Sequence, residues 1–279
     1  MIDLRSAGGP IARDANWRGR MADIRRAATP LGRRVLGRFA IEGTRVHERA
    51  LRAGIRVEDA VAAPSFLEDP SPRVRELIRR LEQSGCVPVE APQVAMDALT
   101  EGRSIGAICG LVPLPEPPTI HEVLCGREAE APLLLVGAGV EDPGNVGALA
   151  RTALASGAAA FVAVGITDPH HPRAVRTSMG SLFKLPLPRY QEVEPLLADL
   201  RLAGVSTVGA TARDGEPLAG FRPPPGPLAV FVGSEAFGLD DGLAEALERR
   251  LTIPMRPDVD SFSVNAAAAI VLYELRRGR

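Results

Sequence analysis

Short apolar runs recur along this chain, and stretches with apolar side chains at helical spacing separate them. The first half opens with a short apolar stretch at Phe39-Ala40-Ile41 and a helix through Val46, Ala50 and Leu51 that stops at Gly54. A strand over 57–62 follows, then a helix over 72–84 with Val74, Leu77, Ile78 and Leu81 on one face and Gly85 as its stop. Glycine just past the last periodic residue ends a helix because it takes up left-handed backbone without a steric cost. Strands over 86–89 and 105–112 complete this small α/β module, and the proline-rich stretch 113–118 reads as a linker.

Beyond it the strands change character. Leu133-Leu134-Leu135-Val136, Phe161-Val162-Ala163-Val164, 205–208 and 228–232 are continuously apolar, as strands buried on both faces of a parallel sheet must be. Helical segments over 145–156, 192–203 and 243–249 supply the crossovers, and a last helix runs over 263–277. The chain therefore reads as α/β: a mostly parallel C-terminal sheet over 132–279, a linker at 116–131, a small α/β domain over 32–115, and an N-terminal arm over 1–31, poorly ordered or partly helical, that mixes Gly, Pro and Arg.

At 279 residues with 46% hydrophobic and 24% charged positions, two cores are expected. No apolar run reaches a membrane span and no secretory signal opens the chain, so the expected location is the cytoplasm. Cys86, Cys109 and Cys125 lie far apart without a C-x-x-C spacing, which fits buried thiols better than a disulfide or zinc framework. No metal site is expected; His170 and His171 precede a proline in a loop and read as surface residues. Net charge is −1, yet the first 56 residues carry thirteen arginines against five acids. Arginine's planar fork suits phosphate and stacks on bases, so RNA is a candidate partner of that end, against a plain compositional bias.

Three segments could carry chemistry. The glycine-rich turn 137–147 invites a dinucleotide reading, but the third glycine position of the fingerprint holds Asp142, and Pro143 follows. What remains there is Asn145-x-Gly147-x-x-x-Arg151 opening a helix, either a polar-ligand site or an N-cap with a solvated arginine. Gly233-Ser234-Glu235 ends an apolar strand, where open α/β sheets bind ligands. Ile253-Pro254-Met255 precedes Ser261-Phe262-Ser263-Val264-Asn265 and four alanines that can pack closely against another backbone.

Together these segments resemble the SpoU-type (TrmH-like) RNA 2'-O-ribose methyltransferases, in order and in spacing, over 133–277; a stretch over 176–183 is similar to the family's arginine-serine-glycine segment. The N-terminal module resembles the ribosomal-protein-like RNA-binding domain of many members. The resemblance implies a SPOUT-type trefoil knot, a homodimer with the active site near its interface, and S-adenosyl-L-methionine as cofactor. It implies catalytic or supporting roles for Arg151, Asn145, Ser261 and Ser263, cofactor contacts at Thr211, Gly233, Glu235, Ile253, Met255 and Phe262, and substrate contacts at Arg176 and Ser178. Ribosomal RNA is the expected substrate, with transfer RNA or a non-catalytic RNA-binding role as alternatives; an oxidoreductase using Gly137, Gly139 and Asp168 stands further off. The third segment departs from the family, which reads serine, leucine, asparagine, valine, then serine or alanine: here Ser263 takes the asparagine position, asparagine appears at 265, and Phe262 replaces leucine. Because ordinary arginine stays protonated at neutral pH, Arg151 is expected to hold a phosphate or polarise the hydroxyl, not to act as a simple base.

Overall fold

The computed structural model describes residues 16–103, 107–125, 131–165 and 168–277, and the chain divides into two compact units at Pro115 and Glu116, with 170–172 assigned to the first. The first fifteen residues of the expected arm and the start of the strand expected at Ile105 lie outside the described residues.

The first unit begins earlier than the pattern suggested. Residues 16–31, expected in the arm, are mostly helical: α1 spans Trp17–Arg26 and α2 spans Pro30–Leu36. Met21, Ile24 and Ala27 are buried in a core with Val61, Met96 and Leu111. Two local signals start and stop α2. The Thr29 hydroxyl accepts the Gly32 N–H at 3.0 Å ahead of Pro30, and Gly37 closes the helix in left-handed backbone. Gly32 has no room for a side chain, since a Cβ would stand 1.9 Å from the Arg26 carbonyl oxygen.

The remaining elements are β1 (Arg38–Glu42), α3 (Thr44–Arg52), β2 (Asp59–Ala62), α4 (Pro64–Leu67), α5 (Pro72–Gln83), β3 (Val89–Glu90), α6 (Gln93–Thr100) and β4 (Ile108–Pro113). They form a four-stranded sheet in the order β1-β4-β2-β3, antiparallel except for β2 with β3. Cys86 and Cys109 are buried as expected, whereas Cys125 is exposed; His170, expected at the surface, is buried.

His47 on α3 is fully buried beside Gly110 of β4, with Nδ1 2.8 Å from the Gly43 carbonyl oxygen. Burial disfavours the imidazolium and lowers its pKa from 6.5 to about 4. The unfolded chain therefore binds a proton that the folded unit refuses between those values. The stability that neutral His47 represents is fully present above pH 6.5 and is lost as pH falls toward 4. The loss should reach about 3 kcal/mol, read as faster amide exchange in β1 and β4; exchange-derived stability that is flat across that window would show that His47 titrates freely.

The second unit starts with α7 (Ile120–Leu124), inside the expected linker. Thr119 and Glu122 cap it reciprocally, and Ile120 and Val123 are buried in this unit's core. Then come β5 (Leu133–Ala138), α8 (Pro143–Ala155), β6 (Ala160–Val164), α9 (Pro172–Ser178), β7 (Arg189–Tyr190), α10 (Val193–Leu202), β8 (Ser206–Thr211), β9 (Glu216–Pro217), β10 (Leu228–Val232), α11 (Asp241–Ala246), β11 (Arg249–Thr252) and α12 (Val264–Arg277). The seven strands are all parallel, in the order β7-β6-β5-β10-β8-β11-β9. β10 lies between β5 and β8, and β11 between β8 and β9, so late strands occupy slots between earlier ones.

β11 corrects the helix expected over 243–249, which ends at Ala246. Only Leu251 of β11 is fully buried, and Arg249 is held by side chains from elsewhere: a two-pronged bond to Glu216 at 2.8 and 2.6 Å and a guanidinium 4.1 Å over the Phe221 ring. A strand made from partners distant in sequence leaves no apolar run to read.

Candidate active site

Because every strand of the second sheet points the same way, the loops after β5, β8, β10 and β11 emerge at one end. Ligands bind at such carboxyl ends in open α/β sheets. The loops after β8, β10 and β11, with Asn145 from α8 and the start of α12, line a cavity of about 580 Å³, within the range of small-molecule sites. Thr211, Gly233, Glu235, Ile253, Met255 and Phe262, the six residues expected to hold a cofactor, all line it. Asn145, Ser261 and Ser263 do so as well. Val232, Leu239 and Leu251 add apolar wall, and Arg213, Asp214, Arg250 and Asp260 add charge that the sequence reading missed. Position just past β8, a strand legible as an apolar run, is the signal that would have found Arg213 and Asp214; Arg250 lies within β11 and Asp260 beyond it, where no apolar run marks the place.

Glycines shape the cavity by close approach. A Cβ on Gly233 would stand 2.0 Å from the Gly238 backbone, which folds the 233–238 loop onto itself through reciprocal Ser234 and Gly238 bonds of 2.9 and 3.0 Å. At Gly147 a Cβ would stand 2.1 Å from the Ala174 carbonyl oxygen, so this position lets α9 lie against α8. Gly137 lies against the Phe161 ring and Gly139 takes left-handed backbone; neither lines the cavity, which removes the geometric basis of a dinucleotide reading. Asp168, its other support, sits 3.7 Å from Arg189 in an ion pair.

Asp142, not Asn145, caps α8, by accepting the Gly144 N–H at 3.1 Å. That frees the Asn145 side chain, which donates from Nδ2 to the Glu235 carboxylate at 2.5 Å and accepts from Asn265 Nδ2 at 2.8 Å. The direction of this chain is forced. A carboxylate only accepts, so Asn145 must turn its amino group to Glu235 and its oxygen to Asn265, which must then donate. Asn265 Oδ1 is left buried without a partner among the described residues, a cost that the chain's polarity imposes. One residue from each of the three segments is thereby joined, and the transposed asparagine has a defined place in the wall. Ser263 has another: its Oγ accepts the Ala266 N–H at 3.4 Å at the start of α12.

The chain does not bring the remaining candidates to the cavity. Ser178, expected to touch substrate, is wholly buried; its hydroxyl donates to the Val175 carbonyl at 2.7 Å and accepts the Gly180 N–H at 3.2 Å, which closes the turn after α9. Arg176 is half-buried outside the cavity lining, and Arg151 is exposed on α8, also outside it. Among the described residues no group of three His, Cys, Asp or Glu side chains could hold a metal ion.

Fold and cavity together define a parallel α/β domain with a cavity among the loops at the strands' carboxyl ends. Residues 132–273, half of the chain, match the SpoU rRNA Methylase family, and the chain belongs to that family. Over 263 residues it is 29% identical to the 23S rRNA (guanosine(2553)-2'-O)-methyltransferase RlmP of Bacillus subtilis, covering 92% of this chain and 96% of that one. The crystal structure of an AdoMet-bound rRNA methyltransferase from Sinorhizobium meliloti is similar at a TM-score of 0.77 and 26% identity, over 92% of this chain and 94% of that one. A crystal structure of an RNA 2'-O ribose methyltransferase is similar at a TM-score of 0.76 and 29% identity, over 95% of this chain and 97% of that one.

Two substitutions test the wall. Asn265→Asp sets an acceptor against the Asn145 oxygen, and stability of the domain to urea should fall by about 1–3 kcal/mol, more than in Asn265→Ser; equal effects would mean that the amide chain has no fixed direction. Gly233→Ala should abolish cofactor binding in calorimetry while leaving the far-UV spectrum unchanged, because the added methyl displaces the loop that forms the cavity.

Proposed function

We propose that this protein transfers a methyl group from S-adenosyl-L-methionine to a ribose 2'-hydroxyl of RNA, ribosomal RNA in preference to transfer RNA. The observation that carries the reading is the convergence of all six expected cofactor residues on one cavity of nucleoside size. The lining fits the group: backbone at Thr211, Gly233 and Ile253 offers hydrogen bonds, while Met255, Leu239 and Phe262 offer apolar cover to a purine. Bound there, the cofactor would supply an electrophilic sulfonium methyl. The chain's own task is to hold donor and acceptor in line, for which Asn145, Glu235 and Asn265 fix the loops and Ser261 and Ser263 present hydroxyls at the cavity. Preference for ribosomal RNA rests on similarity over nearly the full chain to a relative named for 23S rRNA.

A homodimer belongs to the same reading. α12 exposes Ile270 and Tyr273, and shallow grooves lie on both sides of Tyr273, one lined by Leu154 and Ala155 of α8, the other by Leu218 and Pro254. Arg151 stands three and four residues before Leu154 and Ala155 and so shares their face of α8. Pairing through this surface would bring Arg151 to an interface, where its fork could bind the target phosphate or polarise the hydroxyl. The trefoil knot is likewise part of the proposal, supported by β10 and β11 entering between strands laid down earlier. Among the described residues no helix is long and apolar enough to cross a membrane, and the reading places the protein in the cytoplasm.

The test is transfer of labelled methyl from S-adenosylmethionine to unmodified ribosomal RNA, followed by nucleoside analysis. A 2'-O-methylnucleoside should appear and should fall at least about a hundredfold in Arg151→Ala. Arg151→Lys should be nearly as poor, since an ammonium lacks the planar fork. Cofactor binding without methyl on either ribosomal or transfer RNA would favour the non-catalytic RNA-binding alternative.

A further inference from the structure

Phe237 contributes nothing to the core. Its side chain is 91% exposed, on a loop of small and polar residues, at the rim of the cavity just described. The loop beneath it is held: its N–H donates to Ser234 Oγ at 3.2 Å, the Ser234 and Gly238 backbones bond reciprocally, and the neighbouring Glu235 is tied to Asn145. A rigid loop that presents a phenyl ring to solvent beside a ligand cavity is built to meet something flat.

We infer that Phe237 is a stacking platform for a nucleobase of the RNA substrate, beside the ribose that enters the cavity. The inference rests on the methyltransferase reading and deepens it. An attacking 2'-hydroxyl must reach the cavity from a nucleotide whose base is splayed out of its neighbours, and an unstacked base regains contact on an aromatic face. Phenylalanine carries no hydrogen-bonding group, so the platform accepts any base and holds position, leaving sequence choice to other contacts. Arg213, exposed on the same cavity and only 3.8 Å-paired with a fully exposed Asp260, supplies a cation for the adjoining phosphate. Met255, Leu239 and Phe262 already offer the cavity apolar cover, which leaves the Phe237 ring at the rim turned to solvent.

The experiment compares Phe237→Ala, Phe237→Leu and Phe237→Trp with the unaltered protein, in binding of S-adenosylmethionine by calorimetry, and in binding and methylation of unmodified 23S ribosomal RNA transcribed in vitro. Ala and Leu should each weaken RNA binding about ten- to a hundredfold and raise KM for RNA more than they lower kcat. Trp should stay within about threefold, and its fluorescence, read against the signal of Trp17, should be quenched by RNA. Affinity for S-adenosylmethionine should not change in any of them. A Leu variant equal to the unaltered protein would overturn stacking in favour of a general apolar contact with the RNA. Loss of cofactor affinity in Ala would place the ring over the cofactor instead, and unchanged RNA binding in Ala would remove Phe237 from the substrate path. Where the unaltered protein itself neither binds nor methylates ribosomal or transfer RNA, the proposed function fails first and this inference with it.

Discussion

The one-way hydrogen-bonding of a carboxylate organises this site. Glu235 can only accept, so Asn145 must donate to it, and Asn265 must in turn donate to Asn145. The starts of α8 and α12 and the loop after β10, whose residues lie 90 and 120 positions apart, are thereby held at fixed separations around a cavity. A cavity between loops is otherwise soft, since loop backbone has few ladder bonds of its own. The unpartnered oxygen of Asn265 marks what this arrangement costs the fold.

The cavity exists because of strand direction. An all-parallel sheet delivers its carboxyl-end loops to one edge, and the order β5-β10-β8-β11 makes three of the contributing loops neighbours. Close backbone approach then shapes the loop after β10, where Gly233 admits Gly238, while Gly147 lets α9 lie against α8, each at a distance no side chain would allow. Family similarity and geometry meet here, since the matched region 132–273 contains every element that lines the cavity.

The first unit is organised around a different constraint. Its sheet is small and mostly antiparallel, and it is thickened by α1 and α2, whose arginines had made the segment look like a solvated arm. Met21 and Ile24 face inward while Arg25, Arg26 and Arg34 remain exposed, so one segment serves both a core and a basic surface. That surface is consistent with an RNA partner, to which arginine brings charge and a planar face.

Strand runs such as Leu133–Val136 and Leu228–Val232 were legible because continuous apolar sequence has few other uses, and Asn145, Gly233 and Glu235 were legible because their spacing resembles a known family. Elements with a mixed surface were not: β11 takes its stability from Glu216 and Phe221, and α7 from burial of two residues after a proline-rich stretch. The sequence by itself determined the α/β class, residues that come to line the cavity and the departure at Ser263 and Asn265. Only the tertiary structure decided that Asn265 reaches Asn145, that the Ser178 hydroxyl turns inward, that Arg151 stands outside the cavity, and that Phe237 faces solvent. Periodicity reports which face of an element is apolar, whereas the direction of a single polar side chain is set by partners far away in sequence.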